Sequence, residues 1–254
     1  STQDDVENSI DKAMMGSIIH SVLHKLYEPY IEISLTKLII KRIRDSFERE
    51  LTIAISEYGI DNVDTGKNLL AFEAIKSIIL NFINHENKLI QEGNTITIKF
   101  LEHPIKDQRF NLESNEVKLS KTEINLKGHI DRVDIFNNQY RIIDYKTGSI
   151  KDSDLRIKNL QNIYSKPKIL QLLLYSWLIK KTQHNISLPI LAGVINLRAK
   201  NFKFQPCTIN KQQVVDNSLL KEFEEKLHDM LIDMFNPNQE FEHRDRDEKC
   251  RFCD

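Results

Sequence analysis

The chain has 254 residues, 40% of them hydrophobic, with a formal net charge of −1. That is enough for one large domain, or one domain with an appendage. No run of 18 apolar residues and no secretory leader is visible, so neither a membrane span nor an exported scaffold is expected, and the near-neutral balance excludes a uniformly basic nucleic-acid-binding surface while leaving room for a local patch.

Residues 9–58 read as helical, because apolar positions recur at three- and four-residue spacing through IIHSVLHKLY and LTKLIIKRIRDSFEREL. Pro29 should bend or break this stretch. DNVDTGK (61–67) reads as a loop and 68–91 as a second helix. GIDNVDTGKN resembles a phosphate-binding loop only superficially: six residues separate Gly59 from Gly66, and Asn68 stands where Ser or Thr is needed. Strands are expected at 93–103, 116–136 and 140–146, then a helix at 167–182 that starts at Pro167. PILAGVINLRA (189–199) and FKFQPCTI read as further strands, and a last helix spans 212–235 and stops before Pro237. This order implies an α/β fold with a mixed central sheet flanked by helices. The expected organisation is a single domain: a mostly helical part (1–91), a core with its closing helix (92–236) and a tail (237–254).

The chemistry concentrates in GHIDRVDIFNNQYRIIDYKTG, residues 128–148. The first run alternates, with His129, Asp131 and Val133 on one face and Ile130, Arg132 and Asp134 on the other. Asn137, Asn138 and Gln139 supply a polar turn. On the returning run Ile142, Asp144 and Lys146 share a face, so pairing the strands brings Asp131 near Asp144. Asp144 follows two isoleucines, an expensive place for a charge without a partner. Two neighbouring carboxylates repel unless something neutralises them. A hard divalent cation does so with oxygen ligands, and the Tyr145 carbonyl is a further candidate ligand. Lys146 could orient or deprotonate a water, or offset charge building on a phosphate. Together these residues suggest metal-assisted phosphodiester hydrolysis.

The pattern resembles the PD-(D/E)XK nuclease superfamily, and within it the RecB-like and AddB-like nuclease domains. GHIDRVD and IIDYKTG match a "G-x-x-D-R-x-D … x-x-D-Y-K-T-G" signature. MMGSIIHSVLHKLYEPY looks like the family's "G-x-x-x-H-x-x-L-x-x-x-Y" helix, with His20 at the histidine that joins the metal site. KILQLLLYSWLIKK looks like its "Q-x-x-x-Y" helix, with Gln171 and Tyr175 on one face toward the catalytic centre and the DNA strand. The family often has an acid on the strand TITIKFLEHP. There Ile96, Ile98, Phe100 and Glu102 are expected to share a face, which makes Glu102 a candidate support behind the ligands. His24, one turn from His20, reads as solvated or as a support.

The resemblance implies a restriction-endonuclease-like core and a Mg²⁺- or Mn²⁺-dependent deoxyribonuclease. Its expected metal ligands are His20, Asp131, Asp144 and Tyr145; its expected catalytic residues are Asp131, Asp144 and Lys146. DNA, as single strands or duplex ends, is the implied partner, together with a helicase domain or subunit of a larger repair complex; the expected location is cytoplasmic. The alternatives are a non-catalytic module that grips DNA or a subunit, and an endonuclease of restriction or CRISPR-adaptation type. The absence of a starting methionine and the abrupt end suggest a piece of a longer protein. The segment 151–168 carries five basic residues and could line the strand path.

Three cysteines, Cys207, Cys250 and Cys253, do not make a disulfide scaffold. Many AddB-like relatives hold a four-iron cluster with one N-terminal and three C-terminal cysteines. Here no cysteine precedes His20 and only C-R-F-C closes the chain, so an iron–sulfur cluster is not expected. A zinc site would need two more ligands; His243 is near, but nothing fixes a fourth.

Overall fold

The computed structural model of the protein describes residues 10–60, 63, 66–114, 119–187 and 189–238. The tail with Cys250, Cys253 and His243 lies outside the described residues, as does most of the 61–65 loop.

Three helices come first: α1 (Lys12–Tyr27), α2 (Lys37–Glu57) and α3 (Gly66–Gln91). Asp11 caps α1 by accepting from the Met14 amide at 2.7 Å, and Thr36 caps α2 by accepting from Ile39 at 3.2 Å. The helical run expected over 9–58 is therefore broken, and Pro29 sits in the short 3₁₀ turn Glu28–Tyr30 at the break. The chain after that turn runs along the first strand: Glu32 donates to Ile98 and Leu35 to Ile96, each at 2.8 Å. This covers part of an edge that would otherwise present open hydrogen-bonding groups.

The strands are β1 (Ile96–Ser114), β2 (Leu119–Phe136), β3 (Gln139–Lys146), β4 (Arg156–Ile157), β5 (Ile190–Asn196), β6 (Phe204–Pro206), β7 (Thr208–Ile209) and β8 (Val214–Val215). The main sheet runs β1-β2-β3-β5-β6, with β8 also on β5; β3 and β5 are parallel and the other pairs antiparallel. Helix α4 (Pro167–Thr182) lies in the crossover that a parallel pair requires, and α5 (Asn217–Met234) closes the described fold. The mixed α/β architecture read from the sequence is thus the observed one.

The short strands β4 and β8 were not expected, FKFQPCTI forms two strands, β6 and β7, and two boundaries differ by more than three residues. β1 continues to Ser114, well past 103, because Ile105, Phe110 and Leu112 bury against the α4–α5 side. Shifts of register at Ile98/Phe100 and Ile105/Gln108 interrupt the alternation that would have marked this arm in the sequence. The last helix starts at Asn217, after β8, where Asp216 accepts from the Leu219 amide at 2.8 Å.

The sheet separates two cores. On one face Ile143, Tyr145 and Ile195 pack with α1, α2 and α3. On the other, Ile142, Val133 and Val194 pack with α4 and α5. The alternation along β3 is the expected one; on β2, Ile130 joins the same core as Val133.

Candidate metal centre

The centre forms where α1 meets the interior of β1 and β2 and the end of β3. β2 and β3 pair with Arg132 opposite Ile143, so continuing that register one step sets Asp131 across from Asp144. Asp131 is buried, and its Oδ2 accepts the Tyr145 amide at 2.7 Å, which fixes the carboxylate on the neighbouring strand. His20, on α1, brings Nδ1 to 3.8 Å from Asp131 Oδ1 and 3.1 Å from Glu102 Oε1. Glu102 Oε2 lies 3.2 Å from His129 Nδ1. One donor atom each from His20, Glu102 and Asp131 falls within 4.8 Å of the others. Asp144 stands beside this trio, with Lys146 Nζ at 2.9 and 2.7 Å from its two oxygens.

Glu102 is thus drawn closer than the sequence suggested, by a route the sequence did not reveal. The expected stripe Ile96, Ile98, Phe100, Glu102 does not share a face. Ile96 and Ile98 belong to the core under α1–α3, whereas Phe100 packs against the other core, because the register slips by one between Ile98 and Phe100. Glu102 itself has φ 42°, in the left-handed region. That conformation costs a non-glycine residue roughly 1–3 kcal/mol, a strain that recurs at functional sites.

The electrostatics describe a site that attracts positive charge. Burial would lower the pKa of His20, but its hydrogen bond to Glu102 and the charges of Asp131, Glu102 and Asp144 outweigh burial and raise it. Burial pushes Asp131 up to about 7; His20 opposes this, while Asp144 and Glu102 add to it. Burial also raises Asp144, against the pull of Lys146. Carboxylates that cling to protons this way are relieved equally well by a cation. Two carboxylates and an imidazole suit Mg²⁺ or, with its greater tolerance of nitrogen, Mn²⁺. The donor set therefore fits a divalent ion.

Behind the centre lies a fully buried charge network that the sequence reading passed over, although Arg132 and Asp134 stand inside the quoted signature. Arg132 donates to Glu86 on α3 at 2.9 Å, to Asp134 at 2.9 Å and to the Tyr145 hydroxyl at 3.2 Å. Arg141 grips Asp134 with two bonds of 2.8 Å. Burial alone would raise Asp134; Arg141 and then Arg132 outweigh it and hold its carboxyl below the usual range. Tyr145, whose amide holds Asp131, is wedged edge-on between His20 and Phe82. The network therefore fixes the residue that orients the carboxylate.

On α4, Gln171 Nε2 donates to the Tyr175 hydroxyl at 2.8 Å, and both side chains are half-buried on the helix face that looks toward β2. Burial raises the Tyr175 pKa, helped by the charges of Asp144, Asp131 and Glu102. Two glycines allow this assembly. A Cβ at Gly128 would lie 2.7 Å from Leu178 and 3.4 Å from the Tyr175 ring, and one at Gly16 would lie 3.2 Å from Thr147 Oγ1. The glycines of the two quoted signatures thus let α4 close on β2 and α1 close on the end of β3. His24 is half-exposed, 3.9 Å from Glu28, and lines the same cleft as His20.

A family model of the PD-(D/E)XK nuclease superfamily matches residues 2–254. The chain belongs to that superfamily. PD-(D/E)XK nucleases use divalent metals, in keeping with the donor set above. No curated protein sequence matches the chain. Among solved structures the chain is similar to one described as "Crystal structure of SSO0001", at 18% identity over 87% of this chain and 88% of that one, with a TM-score of 0.24. A likeness of that degree carries no argument. Among the described residues no helix is long and apolar enough to cross a membrane.

The basic segment 151–168 is less open than its composition suggests. Lys168 pairs with Asp154 at 2.8 Å, Arg156 with Asp152 at 3.3 Å, and Lys166 donates to the Ser153 carbonyl. Cys207 is buried, and burial pushes its thiol up to about 12, so it offers no reactive thiolate.

Proposed function

We propose that the chain is a Mg²⁺- or Mn²⁺-dependent deoxyribonuclease, acting as the exonuclease module of a RecB/AddB-like helicase–nuclease in DNA repair and recombination. One observation carries the reading: His20, Glu102 and Asp131, from α1, β1 and β2, offer donor atoms within 4.8 Å of one another beside the Asp144–Lys146 pair. Asp131, Asp144 and His20 would hold the ion, with Glu102 as a fourth donor and the Tyr145 carbonyl as a further one. An ion held there would lower the pKa of an attacking water and polarise the phosphoryl oxygen.

The chain's own groups do the rest. Lys146 donates to Asp144, so it acts as a cation that orients the water and offsets charge building on the phosphate. Gln171 and Tyr175 hold the scissile strand against β2. The water oxygen bonds to phosphorus, the bond from phosphorus to the 3′-oxygen breaks, and a proton ends on that departing oxygen. The products carry 5′-phosphate and 3′-hydroxyl ends.

The test is an assay with Mn²⁺ on end-labelled single- and double-stranded DNA. Wild type should release nucleotides from ends and spare circular DNA, and Asp144→Ala should abolish cleavage while its circular dichroism stays unchanged. Full activity in Asp144→Ala would remove the catalytic assignment. No cleavage by wild type would leave the non-catalytic reading, and cutting of circles the endonuclease one.

A further inference from the structure

We propose that the groove between α3 and the turn after β5 binds single-stranded nucleic acid and leads it to the candidate metal centre. The inference rests on the nuclease reading and names the form of its substrate.

The groove has a volume of about 1040 Å³, and its lining carries five cationic residues against two acidic ones, on a chain whose net charge is −1. Part of that charge is already committed: Arg141 to Asp134, Glu86 to Arg132, and Lys88 to Glu92 at 3.8 Å. Arg198, Lys200 and Lys203 remain. All three are exposed, and none makes an ion pair among the described residues. Three free cations on one short turn form a compact phosphate-binding rim.

Aromatic rings line the same groove. His85 and Phe204 are half-buried there, and the His85 ring lies 5.6 Å from that of Phe202. Arg141 lies over the Phe204 ring at 5.2 Å, and a groove that offers both cations and half-buried rings suits a strand whose bases are unstacked, since duplex bases keep their faces to themselves. An acidic peptide would use the rim and leave the rings idle.

One end of the groove lies at the strand next to the one that carries Asp144 and Lys146. β5 runs parallel to β3 with Asn196 level with Lys146, and the next residue, Leu197, donates to the Lys146 carbonyl at 2.9 Å. Arg198 is thus about 7 Å of chain beyond Lys146's neighbour. Phe82, in the groove wall, packs edge-on against Tyr145 at 5.6 Å. The groove lies on the sheet face of Tyr145, and Asp144 and Lys146 project from the other, so a strand following the turn would pass round the end of β3 to reach them.

The test is fluorescence anisotropy of a labelled oligo-dT with the whole chain in EDTA, which needs no cleavage. R198Q/K200Q/K203Q should weaken binding at least about tenfold and reduce the slope of log affinity against log salt by about 2, from roughly 0.7 per lost phosphate contact. An abasic oligonucleotide of equal length should bind at least about tenfold more weakly than oligo-dT. K211Q/K221Q/K226Q, which removes the same charge before and along α5, should bind nearly as wild type does. The proposal is overturned if the groove variant binds like wild type, if both triple variants weaken equally, if the abasic strand binds as well as oligo-dT, or if poly-glutamate of matched charge competes as effectively as oligo-dT. Groove-dependent binding by a protein that never cleaves would uphold the groove and remove the nuclease reading; cleavage with groove-independent binding would do the reverse.

Discussion

Replacing Arg132 by Met tests whether the buried network holds the structure behind the centre. Arg132 is 1% exposed and bonds Glu86, Asp134 and the Tyr145 hydroxyl. Removing one partner of a buried ion pair costs about 3–5 kcal/mol, because the other charge stays buried and uncompensated. Asp134 keeps both bonds from Arg141, so the loss falls on Glu86, which is 3% exposed. The methionine retains most of the stem volume, so little cavity term is added. The expected cost is therefore at the lower end, about 3 kcal/mol. Glu86→Leu alone should cost about 2 kcal/mol, since Arg132 retains Asp134. The double variant replaces the pair by apolar groups and should also cost only about 2 kcal/mol, giving a coupling of about 3 kcal/mol. Urea denaturation at neutral pH, followed by circular dichroism, measures all three. A cost below about 1 kcal/mol for Arg132→Met, or a double variant equal to the sum of the singles, would refute the reasoning.

Two further outcomes follow from the centre itself. Glu102→Gln should weaken Mn²⁺ binding by about 10–100-fold in titration calorimetry; an unchanged affinity would take Glu102 out of the ligand set. The protein without metal should lose stability as pH rises. Folded Asp131 keeps its proton to about pH 7, above the ordinary aspartate range, so its contribution is complete below that range and is lost as pH passes about 7; raised His20 acts in the same sense. In EDTA, the urea midpoint of wild type should therefore fall more between pH 5 and pH 8 than that of Asp131→Asn, and Mn²⁺ should restore it at pH 8 rather than pH 5. The same pH dependence in both proteins would contradict this account.

Much of the candidate centre was legible because it is local. A polar turn sets the β2–β3 hairpin, and its register follows from where the turn lies, so Asp131 and Asp144 fall next to the last paired residues, Arg132 and Ile143. Helix periodicity placed Gln171 beside Tyr175, and Pro167 marked the start of α4. Glu102 was harder to place, because a one-residue slip in β1 reverses which face each later side chain takes, and no composition signal marks it. Glu86 lay beyond reach altogether: a glutamate within a helix reads as solvated until α3 is seen to press it against Arg132.

The sequence by itself determined the order of the long helices and strands, the hairpin that carries the two aspartates and the lysine, and membership of a nuclease superfamily. Each of these depends on residues close in the chain or on a motif in fixed order. Only the tertiary structure decided that His20 and Glu102, 82 positions apart, share a hydrogen bond, that the charges behind Tyr145 cancel in the core, and that three cations without an ion pair among the described residues edge one groove. Those facts depend on how helices dock on a twisted sheet, and packing of that kind leaves no periodic trace along the chain.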